Sequence, residues 1–160
     1  MKKVNHILQN PQYCKMIEQI NTLEADRPYC RHGLPHLLDV ARIAYIISLE
    51  NQYDIAKEVI YGTALLHDLG KSAQYLNGTP HELESAKAAP DVLKEAGYSD
   101  EEIKMITEAI LAHRKPESGK ARSLKGILYQ ADKMSRACFN CMIENRCNWS
   151  EDKKNKYLEY

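Results

Sequence analysis

The chain has no charge excess of either sign: 22 basic residues balance 22 acidic ones over 160 positions. A polyanionic partner calls for a basic excess, so neither a nucleic-acid polymer nor an anionic membrane surface is expected as a partner. No apolar run approaches the roughly 20 residues of a membrane span. The start, Met1-Lys2-Lys3-Val4-Asn5-His6, lacks the apolar core of an export signal. Glycine is scarce, with seven residues, and strand-like alternation is rare, so the chain reads as mostly helical. The five cysteines are odd in number, and three of them cluster near the C-terminus. Without an export signal they are expected to be reduced thiols in a cytoplasmic protein. At this length one domain with a substantial core is the simplest organisation.

What is present is a succession of helical patterns. Residues 3–9 and 11–25 read as two amphipathic pieces broken at Asn10-Pro11, with Val4, Ile7 and Leu8, then Met16, Ile17, Ile20 and Leu23, at helical spacing. His6 has no motif around it and reads as a surface residue. Residues 26–35 form a connector, and Pro35 suits the first turn of the next helix. That helix, His36 to Ile47, is apolar on nearly every side and should be central. Asp54 is expected to cap the following helix, which runs through Ile55, Val59, Ile60 and Leu65 to His67-Asp68, with Gly70 as its stop. Tyr75 to Gly78 reads as a loop. Thr79-Pro80-His81-Glu82 has the form of a capping box, opening a helix to about Glu95 that Gly97 ends. Ser99-Asp100-Glu101-Glu102 is a second box, opening a helix that ends near His113. Residues 116–123 read as a polar, mobile loop. A last helix carries Leu124, Ile127, Leu128 and Ala131, with Asp132 on or beside its apolar face.

The chemistry centres on Leu65-Leu66-His67-Asp68-Leu69-Gly70-Lys71. An aspartate at the end of an apolar helix faces the negative pole of the helix dipole. A buried charge costs several kcal/mol unless it is paired or bound to a metal. His36 alone reads as a hydrogen-bonded core residue, with His32 competing for its role, and Asp132 alone reads as a surface residue. As a set with His67, Asp68, His81 and His113 they become candidate ligands. Imidazole and carboxylate suit iron, manganese, zinc or other divalent ions without choosing among them. The set has enough donors for two metals. Cys138-x2-Cys141-x5-Cys147 has a metal-like pair spacing, but a closed zinc site wants four ligands and this segment has three thiols with no histidine after them. Cys14 or Cys30 can supply a fourth only if the fold brings one near, which nothing in the sequence does. The three therefore read as reduced cysteines in a terminal helix and turn.

The pattern of His36, then His67-Asp68, then Asp132 resembles the HD superfamily of metal-dependent phosphohydrolases. The His67-Asp68-Leu69-Gly70-Lys71 form is similar to the subset that reads His-Asp-x-Gly-Lys, as in HD-GYP and related domains. Val40-Ala41 after His36, and the Ala131-Asp132-Lys133 context, add to the likeness, which covers roughly residues 30–136. The resemblance implies an all-α, single-domain helical bundle of five or more helices. Its core would span 30–136, flanked by an N-terminal arm (1–29) packed on it and a cysteine-containing tail (137–160). The resemblance further implies that His36, His67, Asp68 and Asp132 ligate one divalent metal and that Asp68 bridges to a second held by His81 and His113. The ions would be drawn from iron, manganese, zinc, magnesium, nickel and cobalt. The implied activity is hydrolysis of a small, nucleotide-type phosphomonoester or phosphodiester by metal-activated water, Asp68 and Lys71 being the catalytic candidates. No Gly-Tyr-Pro signature for a cyclic dinucleotide is present, and Lys71 stands where nucleotidase-like members place a glutamate. Lys71, Arg114 and Lys115 are candidates for holding the substrate phosphate, with Arg31 and His32 at the rim. The alternatives are a di-iron oxygenase built on the same ligands and a catalytically silent regulatory domain.

Overall fold

The computed structural model describes residues Met1–Tyr160 and contains eight α-helices and no strand. The all-α expectation holds. Helices α1 (Lys2–Gln9) and α2 (Pro11–Leu23) break at Asn10, whose side chain accepts the backbone N–H groups of Gln12 and Tyr13. Proline at the first position of α2 lacks a donor where none is needed. The central helix is α3 (Leu34–Glu50), which buries Leu37, Val40, Ala41, Ile43, Ala44 and Ile47 between α4 (Lys57–Leu66) and α8 (Leu124–Met134).

The region around the His-Asp pair departs from the sequence reading. Ala56, not Asp54, stands at the cap of α4, and no side chain caps it. The turn before α4 is closed by the backbone, with the Tyr53 N–H donating to the Ser48 carbonyl at 2.9 Å. Residues 75–77, expected as part of a loop from Tyr75 to Gly78, belong instead to a further helix, α5 (Lys71–Asn77), ended by Gly78 at φ 79°. Gly70 is not a left-handed stop. Its φ is −75°, and it sits at the cap of α5. What it needs is space: a Cβ there would lie 2.3 Å from the His81 carbonyl oxygen and 2.8 Å from the Ser85 nitrogen. The missing side chain lets α6 (His81–Glu95) pack its first turn on the His67–Gly70 turn. Thr79 does not cap α6. Pro80 takes that position, and the Thr79 N–H instead donates to the Asn77 side chain.

Further on, Ser99 and Glu102 form the expected capping box at the start of α7 (Asp100–Ala112), after Gly97 turns the chain at φ 87°. Residues Pro116–Lys120, expected as a loop, form a 3-10 turn packed on α8. Its buried Ser118 hydroxyl donates to the Ala112 carbonyl, and Gln130 donates to the Gly119 carbonyl. One apolar cluster takes residues from every α-helix except α5, from Val4 in α1 to Ala131 in α8. The fold therefore buries α1 and α2 in the same core as the central helices. No helix is long and apolar enough to cross a membrane.

Candidate metal centre

Six polar side chains meet where helix ends converge. His36 comes from the first turn of α3, and His67 caps the C-terminus of α4 with Asp68 next to it. His81 opens α6, His113 caps the C-terminus of α7, and Asp132 lies in the last turn of α8. The fold brings all six candidate histidines and aspartates together. They form two groups whose ligand atoms lie within 4.8 Å of one another: His36, His67, Asp68 and Asp132, and Asp68, His81 and His113.

Asp68 belongs to both. Its Oδ2 is 3.5 Å from His36 Nε2 and 3.4 Å from His67 Nε2. Its Oδ1 is 3.1 Å from His81 Nε2 and 3.8 Å from His113 Nε2. Asp132 Oδ1 closes the first group at 3.6 Å from His36 Nε2 and 3.8 Å from His67 Nε2. Each oxygen of one carboxylate thus faces a different set of imidazoles.

The far side of each ring decides its protonation. His67 Nδ1 donates to the Ala64 carbonyl and His113 Nδ1 to the Ile110 carbonyl, both at 2.7 Å. His81 Nδ1 bonds to the Gln74 side-chain oxygen. A carbonyl oxygen only accepts, so these bonds put the proton on Nδ1 and aim the Nε2 lone pair inward. His36 Nε2 and His67 Nε2 are buried without a hydrogen-bond partner. The Nε2 atoms of His81 and His113 face each other at 3.1 Å, an arrangement that repels unless a cation lies between them.

Burial pushes the pKa of His113 down to about 4, with His67 adding to the effect, and burial also lowers that of His81. Burial likewise disfavours a proton on His67, but the charges of Asp68 and Asp132 outweigh it and raise its pKa. The same field draws a metal cation to that nitrogen. For Asp68 burial opposes ionisation, and His67 and Lys71 overcome it. For Asp132 burial is overcome by His67 and Lys133, so both carboxylates lie well below their usual range. Inward lone pairs, ionised carboxylates and unpartnered buried nitrogens fit a divalent metal.

Supporting residues came from places where the sequence gives little signal. Gln74, which orients His81, lies on α5, where no helix was expected. The Asn77-Gly78 stop was the available clue. Glu24, at the cap of α2, accepts the His32 backbone N–H at 2.7 Å, the His32 ring at 2.5 Å and the Tyr75 hydroxyl at 2.5 Å. Burial raises the pKa of Glu24, yet the bonds from His32 and Tyr75 hold it down to about 2. His32 is therefore fixed at the rim by Glu24 and does not replace His36 in either metal group.

A cavity of about 550 Å³ opens over the two groups and is lined by the cations Arg31, Lys71, Arg114 and Lys133. Lys71 Nζ is 3.9 Å from Asp68 Oδ1, and Arg114 is held by Glu82 at 3.1 Å. Lys133, not singled out from the sequence, pairs with Asp132. Lys115 is exposed and does not line the cavity, because the chain turns outward into the 3-10 segment at that point. His6 is a surface residue, as expected. Cys141, Cys147 and Trp149 of the tail also line the cavity.

Over residues 33–137 the sequence matches the family model of the HD domain. It is 43% identical, over the whole of both chains, to an uncharacterized protein of Clostridium beijerinckii. The fold is also that of a predicted HD superfamily hydrolase from an uncultured Thermotogales bacterium, known from a crystal structure. The TM-score is 0.64 at 21% identity, covering 88% of this chain and 80% of that one. With the paired His67-Asp68 at the convergence of the helix ends and the family match across more than half its length, the chain belongs to the HD-domain family.

Proposed function

We propose that this protein is a metal-dependent phosphohydrolase that binds two divalent cations and hydrolyses a small, nucleotide-type phosphomonoester or phosphodiester. The observation that carries the reading is Asp68, whose two oxygens face separate imidazole groups as a bridging carboxylate does. His36, His67, Asp68 and Asp132 would hold one ion, and Asp68, His81 and His113 the other. When bound, such ions supply Lewis acidity and lower the pKa of a coordinated water towards about 7.

The chain's own residues do the rest. Lys71, Lys133 and Arg31 line the cavity as cations and favour an anionic substrate over a neutral one. Lys71, whose Nζ lies 3.9 Å from Asp68 Oδ1, stands at the edge of both groups and would hold a phosphoryl oxygen. Arg114 can join it by leaving Glu82. The cavity volume falls in the range of small-ligand sites.

The test is elemental analysis of the purified protein, then a screen of phosphomonoesters and phosphodiesters with several divalent metals while oxygen is monitored. Phosphate release that depends on metal, without oxygen uptake, is the expected result. Oxygen consumption without phosphate release would replace the hydrolase by the di-iron oxygenase.

A further inference from the structure

The far wall of the cavity comes from a part of the chain that has no core. Beyond Ala131 no residue is buried, and the only regular structure after α8 is three 3-10 turns, Cys138–Asn140, Glu144–Arg146 and Glu151–Lys153. The Asn155 side chain ties the tail to the end of α8 through the Lys133, Met134 and Arg136 carbonyls, but a segment that buries so little apolar surface gains most from a cross-link. This tail nevertheless folds back on the connector before α3. The Tyr29 hydroxyl donates to the Arg146 carbonyl at 3.5 Å, and Tyr29, Cys30 and Arg31 line one cavity with Cys141, Cys147 and Trp149.

The fold-back assembles the cysteines. Cys30, from the connector, lines the same cavity as Cys141 and Cys147. Cys138 is one 3-10 turn from Cys141, whose N–H donates to the Cys138 carbonyl at 3.2 Å. None of the four is in a disulfide. Burial raises the pKa of the Cys30 thiol, and the charges of Cys138, Cys141 and Cys147 raise it further, as expected of thiols close enough to repel one another as thiolates. The cations Arg27, Arg31 and Arg136 line the cavity with them. The tertiary fold thus brings in the fourth thiol that the Cys-x2-Cys-x5-Cys segment lacks.

We propose that Cys30, Cys138, Cys141 and Cys147 form a four-thiolate site for a thiophilic metal centre, distinct from the His-Asp groups. Four thiolates are the ligand complement of a structural zinc ion and of an iron–sulfur cluster alike. Spacing favours the cluster. Zinc–sulfur bonds of about 2.3 Å in a tetrahedron hold the sulfurs roughly 3.8 Å apart. The sets of three or more ligand atoms within 4.8 Å of one another are the two His-Asp groups, and no thiol set is among them. A polynuclear cluster takes the wider cage. Either centre staples the tail to the connector that carries His32 and fixes one wall of the cavity.

The test uses full-length protein purified without oxygen, as wild type, His67→Ala and Cys141→Ser. Iron, zinc and acid-labile sulfide are measured with the visible absorption spectrum. The expected result is iron with sulfide and a broad visible absorption, kept by His67→Ala and lost by Cys141→Ser. One zinc per chain following the same pattern of retention and loss, without colour, supports the four-thiolate site in its zinc form. Native alkylation read by mass spectrometry keeps the proposal testable if Cys141→Ser does not fold. Cys14, Cys30 and Cys141 are all exposed, so Cys14 should react at once while Cys30 and Cys141, together with Cys138 and Cys147, are protected by the bound centre. Reaction of all five cysteines in the wild type at the rate of Cys14 overturns the proposal, as does a metal and sulfide content that Cys141→Ser leaves unchanged.

Discussion

Asp68 serves two imidazole groups with one side chain, so its loss should be felt in both. Asp68→Ala is expected to abolish metal-dependent phosphate release and to empty both groups, whereas His113→Ala should lose only one metal equivalent. Elemental analysis of the two variants checks this, and full turnover by a metal-free Asp68→Ala protein would remove the mechanism. Gln74 acts at one remove, through the proton it holds on His81. Gln74→Ala should weaken binding of the second metal by roughly 10–100-fold and leave the first unchanged, as metal titration would show. The six histidines and aspartates were legible because their chemistry is rare in a helical core. Gln74, Glu24 and Lys133 were not, since a polar residue near a helix end reads as solvated until the neighbouring helix is placed.

Helix ends set the geometry, and the element that matters most is the short α5 with Gly70 before it. A side chain at Gly70 would collide with the backbone of the first turn of α6, which cannot move without carrying His81 along. Gly70→Ala should cost about 1–3 kcal/mol, the usual range for overpacking, and weaken metal binding at His81. Thermal unfolding of the metal-free protein and metal titration measure the two effects separately. The two capping signals separate in the same way. Ser99→Ala should cost about 1 kcal/mol because its side chain accepts the Glu102 N–H, while Thr79→Ala should cost much less because no such bond exists. Both segments read as capping boxes in sequence. Pro80 decided between them by taking the cap position itself.

At the scale of the whole molecule, Glu24 ties α2 to the connector and to α5. Its pKa is held at about 2 against an ordinary 4.5, so the folded form favours the ionised carboxylate. The stability this contributes is present above 4.5 and is lost as the pH falls from there towards 2. Denaturant unfolding across that window should show a steep loss in the wild type and a shallower one in Glu24→Gln. Its partners His32 and Tyr75 are partly solvated, which keeps the difference to roughly 2 kcal/mol.

Periodicity, composition and residue chemistry are local, and they sufficed for the all-helical class, the break at Asn10-Pro11, the central α3, the Ser99 cap and the identity of the six convergent donors. Which helix ends meet is a long-range matter of packing. Only the packed helices showed that Asp68 faces two groups, that Lys115 points away while Lys133 faces in, and that Gly70 is a contact surface rather than a stop. They also showed that Cys30 lines the same cavity as Cys141 and Cys147. The pair at the centre, His67-Asp68, was conspicuous in the sequence because a charge at the wrong end of an apolar helix needs a partner, but its partners come from α3, α6, α7 and α8, and only the folded core brings those four ends together.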